Sequence, residues 1–201
     1  MPMTPDPNES LRADSKLGPA VDAVGPLRVE PAEDFFARFV VSILRQQVSM
    51  ESAAATRERL FDAIEVTPEG VLDADDEILR DAGLSRQKTG YVNNVARAFV
   101  ENGYSRAYFE GMDDDAVRAE LTSITGVGAW TADMQLLFSL GRPDVFPVGD
   151  LGIRKGMARL FDDLAVEDRA AMRDRAERWA PYRSYASLYL WRGVEGDDID
   201  D

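Results

Sequence analysis

The stretch Leu121–Ala132, which reads LTSITGVGAWTA, decides the predicted fold. A helix is predicted to end near Leu121, a Gly-x-Gly turn follows at Gly126 and Gly128, and an almost wholly apolar helix begins at Trp130. The glycines allow a tight turn and a close approach of the backbone to a ligand. The unpaired N–H groups at the start of the second helix favour a bound phosphate. An ordinary helix–helix turn explains a lone Gly-x-Gly more often, so both interpretations stay open at this point.

Helical periodicity extends over most of the chain, and no convincing strand alternation accompanies it. Apolar residues recur at helical spacing, for example at Phe35 and Phe39. Ser85 and Asp113 are favoured N-caps, and Gly103 is predicted to end a helix. We therefore predict an all-α fold with two lobes of helices. The core is predicted over 31–192, and its helical hairpin over about 113–140.

The two ends of the chain differ from this core. Residues 1–30 are rich in Pro, Asp, Gly and Ser and show little periodicity. That composition predicts an N-terminal arm that is mobile or packs loosely. Residues 193–201 carry five acids and no base. They are predicted to form an acidic tail.

The composition excludes several kinds of chemistry. The 201 residues are 45% hydrophobic, which is enough for a sizeable core, and they include no cysteine and no histidine. Thiolate zinc sites, iron–sulfur clusters, disulfides and Ser-His-Asp triads are therefore excluded. No apolar run is long enough to span a membrane, and residues 1–20 lack a signal-peptide core. The sequence thus predicts a soluble intracellular protein with no membrane partner.

The charge is strongly acidic but unevenly distributed. Lys and Arg number 23 against 37 Asp and Glu, a net charge of −14. Three windows, 35–50, 82–100 and 151–161, contain basic residues and no acid. They indicate a face that tolerates a polyanion, although chance explains such windows about as well. The acid-rich composition also resembles that of proteins from salt-rich cytoplasms.

An aspartate stands at the start of a predicted helix. Asp150 follows Phe146–Gly149 and precedes a helix predicted over 151–161. Aspartate is a favoured N-cap, and a capping role is the commoner one for a single Asp. A cap also holds its carboxylate rigidly, so capping and catalysis are compatible.

Two further segments allow a structural and a functional interpretation. In Ile43–Ser49 (ILRQQVS), two amides and a serine follow an apolar helix, which suits either a helix end or the mouth of a cleft. Trp179–Ala186 (WAPYRSYA) and the following Tyr189 and Trp191 place large aromatics at helical spacing. They pack a core or form an aromatic cleft for a nucleobase.

Together these segments resemble a known family. Gly126-Val-Gly128 followed by Asp150 resembles the helix-hairpin-helix, Gly/Pro-rich, aspartate (HhH-GPD) superfamily of DNA glycosylases. ILRQQVS, Ala82–Lys88 (AGLSRQK) and WAPYRSYA resemble its 3-methyladenine DNA glycosylase II branch. The likeness covers about 31–192 and implies a two-lobed all-α core with a cleft between the lobes. It implies base excision repair, in which an alkylated purine is flipped out of duplex DNA and its N-glycosidic bond is hydrolysed, leaving an abasic site.

The resemblance also implies residue roles. Asp150 is expected to be the catalytic carboxylate, in a substrate pocket lined by Trp130, Trp191, Met134 and Leu151. Trp130 matches the position at which bifunctional relatives carry a lysine that forms a Schiff base with the sugar. An indole cannot form that bond, so we expect a monofunctional enzyme without AP lyase activity.

The expected partner is damaged double-stranded DNA, bound by a monomer. Gln47 or Val48 is expected to fill the gap left by the flipped base. No cofactor is expected for catalysis, but the main-chain carbonyls of Thr122, Ile124 and Val127 are expected to bind structural Na⁺ or K⁺. All the residues expected to contact DNA are Gln46, Gln47, Val48, Ser49, Arg86, Lys88, Gly126, Val127, Gly128, Ala129, Trp130, Arg154 and Lys155.

Two alternatives are retained. A non-catalytic helix-hairpin-helix module would bind DNA or a partner only, but it would not need Asp150. A glycosylase of the same superfamily for oxidised, deaminated or mismatched bases often carries the hairpin lysine or four cysteines, whereas this chain has Trp130 and no cysteine. The expected location is the cytoplasm, at the nucleoid, with high salt.

Overall fold

The structure, a computed structural model, describes residues 5–195 and side chains as far as Gly193. These residues form helices and connecting turns, and no strand occurs among them. None of these helices is long and apolar enough to cross a membrane. Most of the predicted acidic tail, 196–201, lies outside the described residues.

The α-helices of the described chain are numbered in order. Every predicted core helix is present, with ends within a few residues of those expected. The helices are α1 Pro7–Arg12, α2 Gly18–Val24, α3 Phe35–Leu44, α4 Met50–Ala63, α5 Pro68–Asp73, α6 Asp76–Asp81, α7 Arg86–Asn102, α8 Asp114–Thr122, α9 Ala129–Met134, α10 Leu151–Leu160, α11 Arg169–Ala176 and α12 Arg183–Glu195.

The chain divides into two compact units, one of 31–140 and one that joins residues up to Glu30 with those from Gly141 onward. In the first, α3 packs against α7, and α8 packs against α9. Phe99 of α7 meets Phe35 and Phe36 of α3 edge to face, each with ring centroids 5.1 Å apart. This geometry is favourable for aromatic rings and fixes the core behind the hairpin.

Predicted caps define several helix ends in this unit. The side chains of Ser85 and Asp113 accept the backbone N–H groups of Lys88 and Ala116, at 3.2 and 2.7 Å. Gly103 ends α7 in the left-handed conformation, with φ of 66°. The predictions of these caps are confirmed, because local side-chain chemistry decides them.

The first thirty residues contradict the predicted loose arm. Leu11 of α1, together with Leu17 and Val21, is at most 2% exposed, and both α1 and α2 pack against α12. The Tyr189 hydroxyl donates to Asn8 Oδ1 at 2.5 Å. Each helix is too short to show a periodic pattern, so its burial is decided by tertiary contacts that the sequence does not display.

The buried helix predicted over 130–140 is regular only in its first half. Gln135–Ser139 continues α9 as a π-helical turn, in which the Leu140 N–H donates to the Gln135 carbonyl at 2.9 Å. Gln135 and Ser139 are fully buried, and the Ser139 hydroxyl donates to Gln135 Oε1 at 2.7 Å. This bond satisfies two polar groups inside an apolar segment.

Candidate active site and hairpin

Asp150 is held at the N-terminus of α10. It is the N-cap of that helix, and its Oδ1 accepts the backbone N–H of Ile153 at 3.0 Å. The same oxygen accepts the indole N–H of Trp191, on α12, at 2.8 Å. Two donors on one oxygen fix the direction of the half-buried carboxylate. Asp150 therefore fits both the capping and the catalytic interpretation, because it caps α10 and its carboxylate is held in one direction.

Gly152 makes this arrangement sterically possible. A Cβ at Gly152 would lie 2.8 Å from Trp191 Cδ1 and 3.0 Å from Asp150 Oδ1. One turn later, a Cβ at Gly156 would lie 2.9 Å from the Leu190 carbonyl oxygen. These two glycines let α10 and α12 approach closely enough for the indole to reach the carboxylate. Sequence analysis missed them, although the Gly-x-x-x-Gly spacing was a visible signal.

The other predicted pocket residues are divided between the two units. Trp191 is only 6% exposed, and Leu151, next to Asp150, is 49% exposed. Trp130 and Met134 lie one turn apart on α9, in the unit of 31–140. Trp130 is half-buried and Met134 is buried. The structure thus groups Asp150, Leu151 and Trp191 on α10 and α12, and Trp130 with Met134 on the hairpin.

The aromatic segment after α11 belongs mainly to the core. Trp179 and Tyr182 are buried, and the Trp179 ring lies near Phe146 and Phe161. A cavity of about 320 Å³ is lined by this segment and α1, and it includes none of the predicted site residues. For Trp179–Ala186 the structure therefore favours core packing over a nucleobase cleft.

The two hairpin glycines serve different purposes. Gly126 has φ of +103°, and a Cβ there would lie 2.2 Å from two ring atoms of Tyr91. Gly128 has φ of −92°, and nothing lies within 4 Å of the place where its Cβ would be. The fold thus requires glycine at 126 but not at 128. Gly128 is exposed, so a side chain at this position would obstruct only a ligand that approaches the hairpin from outside the unit.

Two side-chain amides and an ion pair brace the hairpin. Asn94 Nδ2 donates to the Thr125 carbonyl at 3.1 Å, and Gln46 Nε2 donates to the Gly126 carbonyl at 3.0 Å. Gln46 Nε2 also lies 3.0 Å from the Thr131 hydroxyl oxygen. Gln46, expected at the DNA, is therefore engaged inside the protein. Arg118 Nε of α8 pairs with Asp133 Oδ1 of α9 at 2.7 Å.

One hairpin N–H group is engaged within the protein, and the start of α9 has no side-chain cap. The Val127 N–H donates to the Ile124 carbonyl at 3.0 Å, so it does not remain available for a phosphate. Gly128 caps α9 with no side chain of its own. The cap position therefore offers no side-chain acceptor to the first turn of α9, as an anion site at a helix start requires.

The loop after α3 is exposed and has one unusual residue. Gln47 adopts φ of 56°, the only positive φ of a non-glycine residue in the described chain. Such a conformation costs about 1 kcal/mol for a residue with a side chain. Val48 and Met50 are 44% and 47% exposed. Ser49 is engaged locally, because its hydroxyl accepts the Ser52 N–H at 3.2 Å and caps α4.

The basic residues expected to contact DNA fall into two groups. Lys88 Nζ donates to the Leu44 carbonyl, at the end of α3, at 2.5 Å, and partial burial lowers the pKa of this amine. Arg154 donates to the Val166 carbonyl at 3.2 Å. Arg86 and Lys155 are exposed. Lys88 and Arg154 thus have structural partners, whereas Arg86 and Lys155 present their charge to solvent.

The hairpin indicates a class of protein, because two helices, α8 and α9, joined by a glycine turn form a helix-hairpin-helix motif. The pattern of the HhH-GPD superfamily base excision DNA repair proteins matches residues 40–181. The chain belongs to that superfamily.

Curated relatives agree with this assignment. A putative DNA-3-methyladenine glycosylase of Bacillus subtilis, YfjP, is 34% identical over an alignment of 164 residues that covers 76% of this chain and 56% of the relative. DNA-3-methyladenine glycosylase 1 of Schizosaccharomyces pombe is 31% identical over 173 residues, 83% of this chain and 75% of that protein. The chain thus spans little more than half of the Bacillus relative.

Solved structures show the same architecture. The Schizosaccharomyces pombe 3-methyladenine DNA glycosylase Mag1, in complex with abasic DNA, has a TM-score of 0.86 at 28% identity, covering 98% of this chain and all of that one. A DNA-3-methyladenine glycosidase of Bacillus halodurans has a TM-score of 0.80 at 31% identity, covering 96% and 91%. The prediction of an all-α HhH-GPD fold is confirmed.

Proposed function

We propose that this protein is a monofunctional DNA glycosylase of base excision repair, which hydrolyses the N-glycosidic bond of alkylated purines of the 3-methyladenine type. The observation that carries the proposal is the Asp150 carboxylate, fixed by the N–H groups of Ile153 and Trp191. A module that only binds DNA needs Asp150 as a cap, but it has no use for the second donor, Trp191, that fixes the carboxylate. The names of the similar proteins support the substrate class.

Asp150 supplies the negative charge that bond cleavage needs. As the bond from the sugar C1′ to the base breaks, its electron pair leaves with the base and positive charge grows on the sugar. The Asp150 carboxylate stabilises that charge and accepts a proton from the water that bonds to C1′. Alkylation makes the base a cationic leaving group that becomes neutral on departure. A strong general acid is then unnecessary, and the lack of histidine is no obstacle.

Base flipping prepares the substrate for this step. A damaged base pairs weakly, which reduces the cost of rotating it out of the duplex. The exposed Gln47 or Val48 fills the gap in the stack. The electron-rich ring of Trp130 attracts a cationic base by about 1–2 kcal/mol once water is excluded.

The hairpin binds the DNA backbone. The first-turn N–H groups of Ala129 and Trp130 hold a phosphate oxygen. The carbonyls of Thr122, Ile124 and Val127 are the candidate ligands for Na⁺ or K⁺, and that of Ile124 would use its second lone pair, since it already accepts the Val127 N–H. Neutral carbonyl oxygens suit an alkali cation, which would supply positive charge for binding a phosphate.

A strand-break assay tests the function and its monofunctional character. Duplexes carrying 3-methyladenine, 7-methylguanine, hypoxanthine or ethenoadenine are incubated with the protein, with or without heating in alkali. We expect breaks at alkylated purines only after alkali, because Trp130 cannot form a Schiff base. Breaks without alkali would contradict monofunctionality. Release of hypoxanthine alone would favour a superfamily branch for deaminated bases, and no release at all would favour a binding module.

Trp191→Phe tests the donor to Asp150. The variant keeps an aromatic ring but loses an N–H bond to a charged group, worth about 1.5–3 kcal/mol. We expect kcat to fall about 10- to 100-fold with little change in KM. Trp179→Phe is the control, since that indole is buried in the core beside Phe146 and Phe161. Equal rates for Trp191→Phe and the wild type would show that the donor does not position the carboxylate.

A further inference from the structure

One side-chain amide joins two segments that the proposed function places at DNA. Gln46 lies in the loop between α3 and α4, immediately before Gln47 and Val48, which we call the wedge. Its Nε2 donates to the Gly126 carbonyl and to the Thr131 hydroxyl oxygen, each at 3.0 Å. The first partner precedes α9 and the second lies in its first turn. An amide nitrogen carries two N–H groups, so this one nitrogen serves both acceptors.

The backbone that leads into the wedge is fixed as far as Gln46. The Gln46 N–H donates to the Ile43 carbonyl at 3.2 Å, and Lys88 Nζ donates to the Leu44 carbonyl at 2.5 Å. The next residue, Gln47, has a positive φ of 56°. A strained conformation persists only where the surrounding structure holds the chain in it. The bonds made just before Gln47 therefore determine the direction in which the exposed wedge leaves α3.

α7 supports the loop and the hairpin together. Lys88 holds the end of α3, and Asn94 Nδ2 donates to the Thr125 carbonyl at 3.1 Å. Between them on α7, the Tyr91 ring packs against the first glycine of the hairpin. Residues three apart are neighbours on a helix surface, so these three side chains form one continuous support. Within the unit of 31–140, the loop and the hairpin are thus linked twice, through α7 and directly through the Gln46 amide.

Base flipping requires both segments to engage the DNA at the same time. In the proposed function the hairpin holds a phosphate while the wedge enters the gap left by the flipped base. The wedge stabilises only the flipped state, whereas the phosphate contact is present before and after flipping. A displacement of about 1 Å between groups that act together can lower a rate about 100-fold. The bond between the loop and the hairpin therefore matters for flipping more than for binding.

We propose that Gln46 is a positioning residue for base flipping, whose amide holds the wedge at a fixed place relative to the phosphate bound by the hairpin. This inference rests on the proposed function and adds to it a residue that acts without contacting the flipped base. Loss of the amide leaves the phosphate contact of the hairpin in place. Binding of undamaged DNA is then kept, while the flipped state becomes less populated.

Gln46→Met tests this role, because it removes both donors from a side chain of similar length. Single-turnover release of 7-methylguanine is measured opposite cytosine and opposite thymine, since a mismatched base costs less to flip. We expect the variant to react about 10-fold more slowly than the wild type opposite cytosine, with a much smaller loss opposite thymine. Its affinity for undamaged duplex should match that of the wild type.

Asn93→Ala is the matched control. Asn93 of α7 donates its amide to Asp76 Oδ1 at 2.8 Å, so the variant loses an amide bond outside the loop and the hairpin. It should keep the wild-type rates with both duplexes. Asp150→Asn acts on bond cleavage, and it should lower both rates by the same factor. A merely structural role of Gln46 would likewise lower both rates equally.

The outcomes separate this inference from the proposed function. A wild type that releases alkylated bases, together with no loss or an equal loss on both duplexes in Gln46→Met, would overturn the positioning role alone. A wild type that releases no alkylated base would overturn the proposed function and this inference with it. Thermal unfolding checks each variant. If Gln46→Met fails to fold, Thr131→Val decides the question, because it removes one of the two acceptors and should show a smaller loss with the same dependence on the opposite base.

Discussion

Asp150→Asn is expected to lower the rate of base release by about 10³-fold or more while the protein keeps its fold and its affinity for DNA. The neutral amide cannot stabilise the positive charge that grows on the sugar, and it cannot accept the proton of the attacking water. Asparagine is nevertheless a good N-cap, so its side-chain oxygen can still accept the Ile153 and Trp191 N–H groups. The substitution therefore removes charge with little change of shape.

Single-turnover release of 7-methylguanine, binding of the same duplex and thermal unfolding together measure this effect. Asp168→Asn is the matched control, because Asp168 caps α11 by accepting the Ala171 N–H at 3.2 Å. It should unfold and react like the wild type. Near-normal turnover by Asp150→Asn would remove Asp150 from its catalytic role, whereas loss of folding in both variants would assign the effect to capping.

Gly126→Ala is expected to destabilise the protein by about 3 kcal/mol. The residue has a positive φ, which costs an alanine about 1–2 kcal/mol. Its methyl carbon would also overlap the Tyr91 ring, and overpacking of this kind costs about 1–3 kcal/mol. For a chain of this length, the loss corresponds to a fall in Tm of about 10 °C.

Gly128→Ala is the matched control two residues away. Its φ is negative and its Cβ direction is open, so we expect a change in the free energy of unfolding within about 0.5 kcal/mol. DNA binding should still weaken, because the methyl group stands between the hairpin and a phosphate. Urea unfolding of both variants, with binding to undamaged duplex, makes the comparison. Equal destabilisation by the two substitutions would contradict the different roles assigned to these glycines.

Local signals allowed much of this fold to be predicted from sequence. Caps such as Ser85 and Asp113 act within one turn, and the apolar stripe of α3 is long enough to show its period. The family likeness rests on motifs that are themselves local turns. α1 and α2 escaped prediction because each buries only one or two side chains, and their stability comes from α12.

The candidate site was only partly predictable for a related reason. Asp150 and the hairpin glycines stand in recognisable patterns, but their partners lie far away in sequence. Asn94 is 31 residues from the Thr125 carbonyl that it holds, and Trp191 is 41 from Asp150. No local sequence pattern indicates that an amide will hold a hairpin carbonyl or that an indole will donate to a carboxylate. The π turn at Gln135 likewise depends on a polar bond inside the core.

The bracing of the hairpin by neutral amides has a consequence for the salt dependence of DNA binding. Hydrogen bonds from Asn94 and Gln46 to backbone carbonyls involve no net charge, so mobile ions hardly screen them. Ionic contacts between a protein and DNA phosphates are weakened steeply by the same ions. At high salt concentration the turn should therefore keep its shape while the affinity of the protein for duplex DNA falls. Dissociation from DNA is then the step most sensitive to salt.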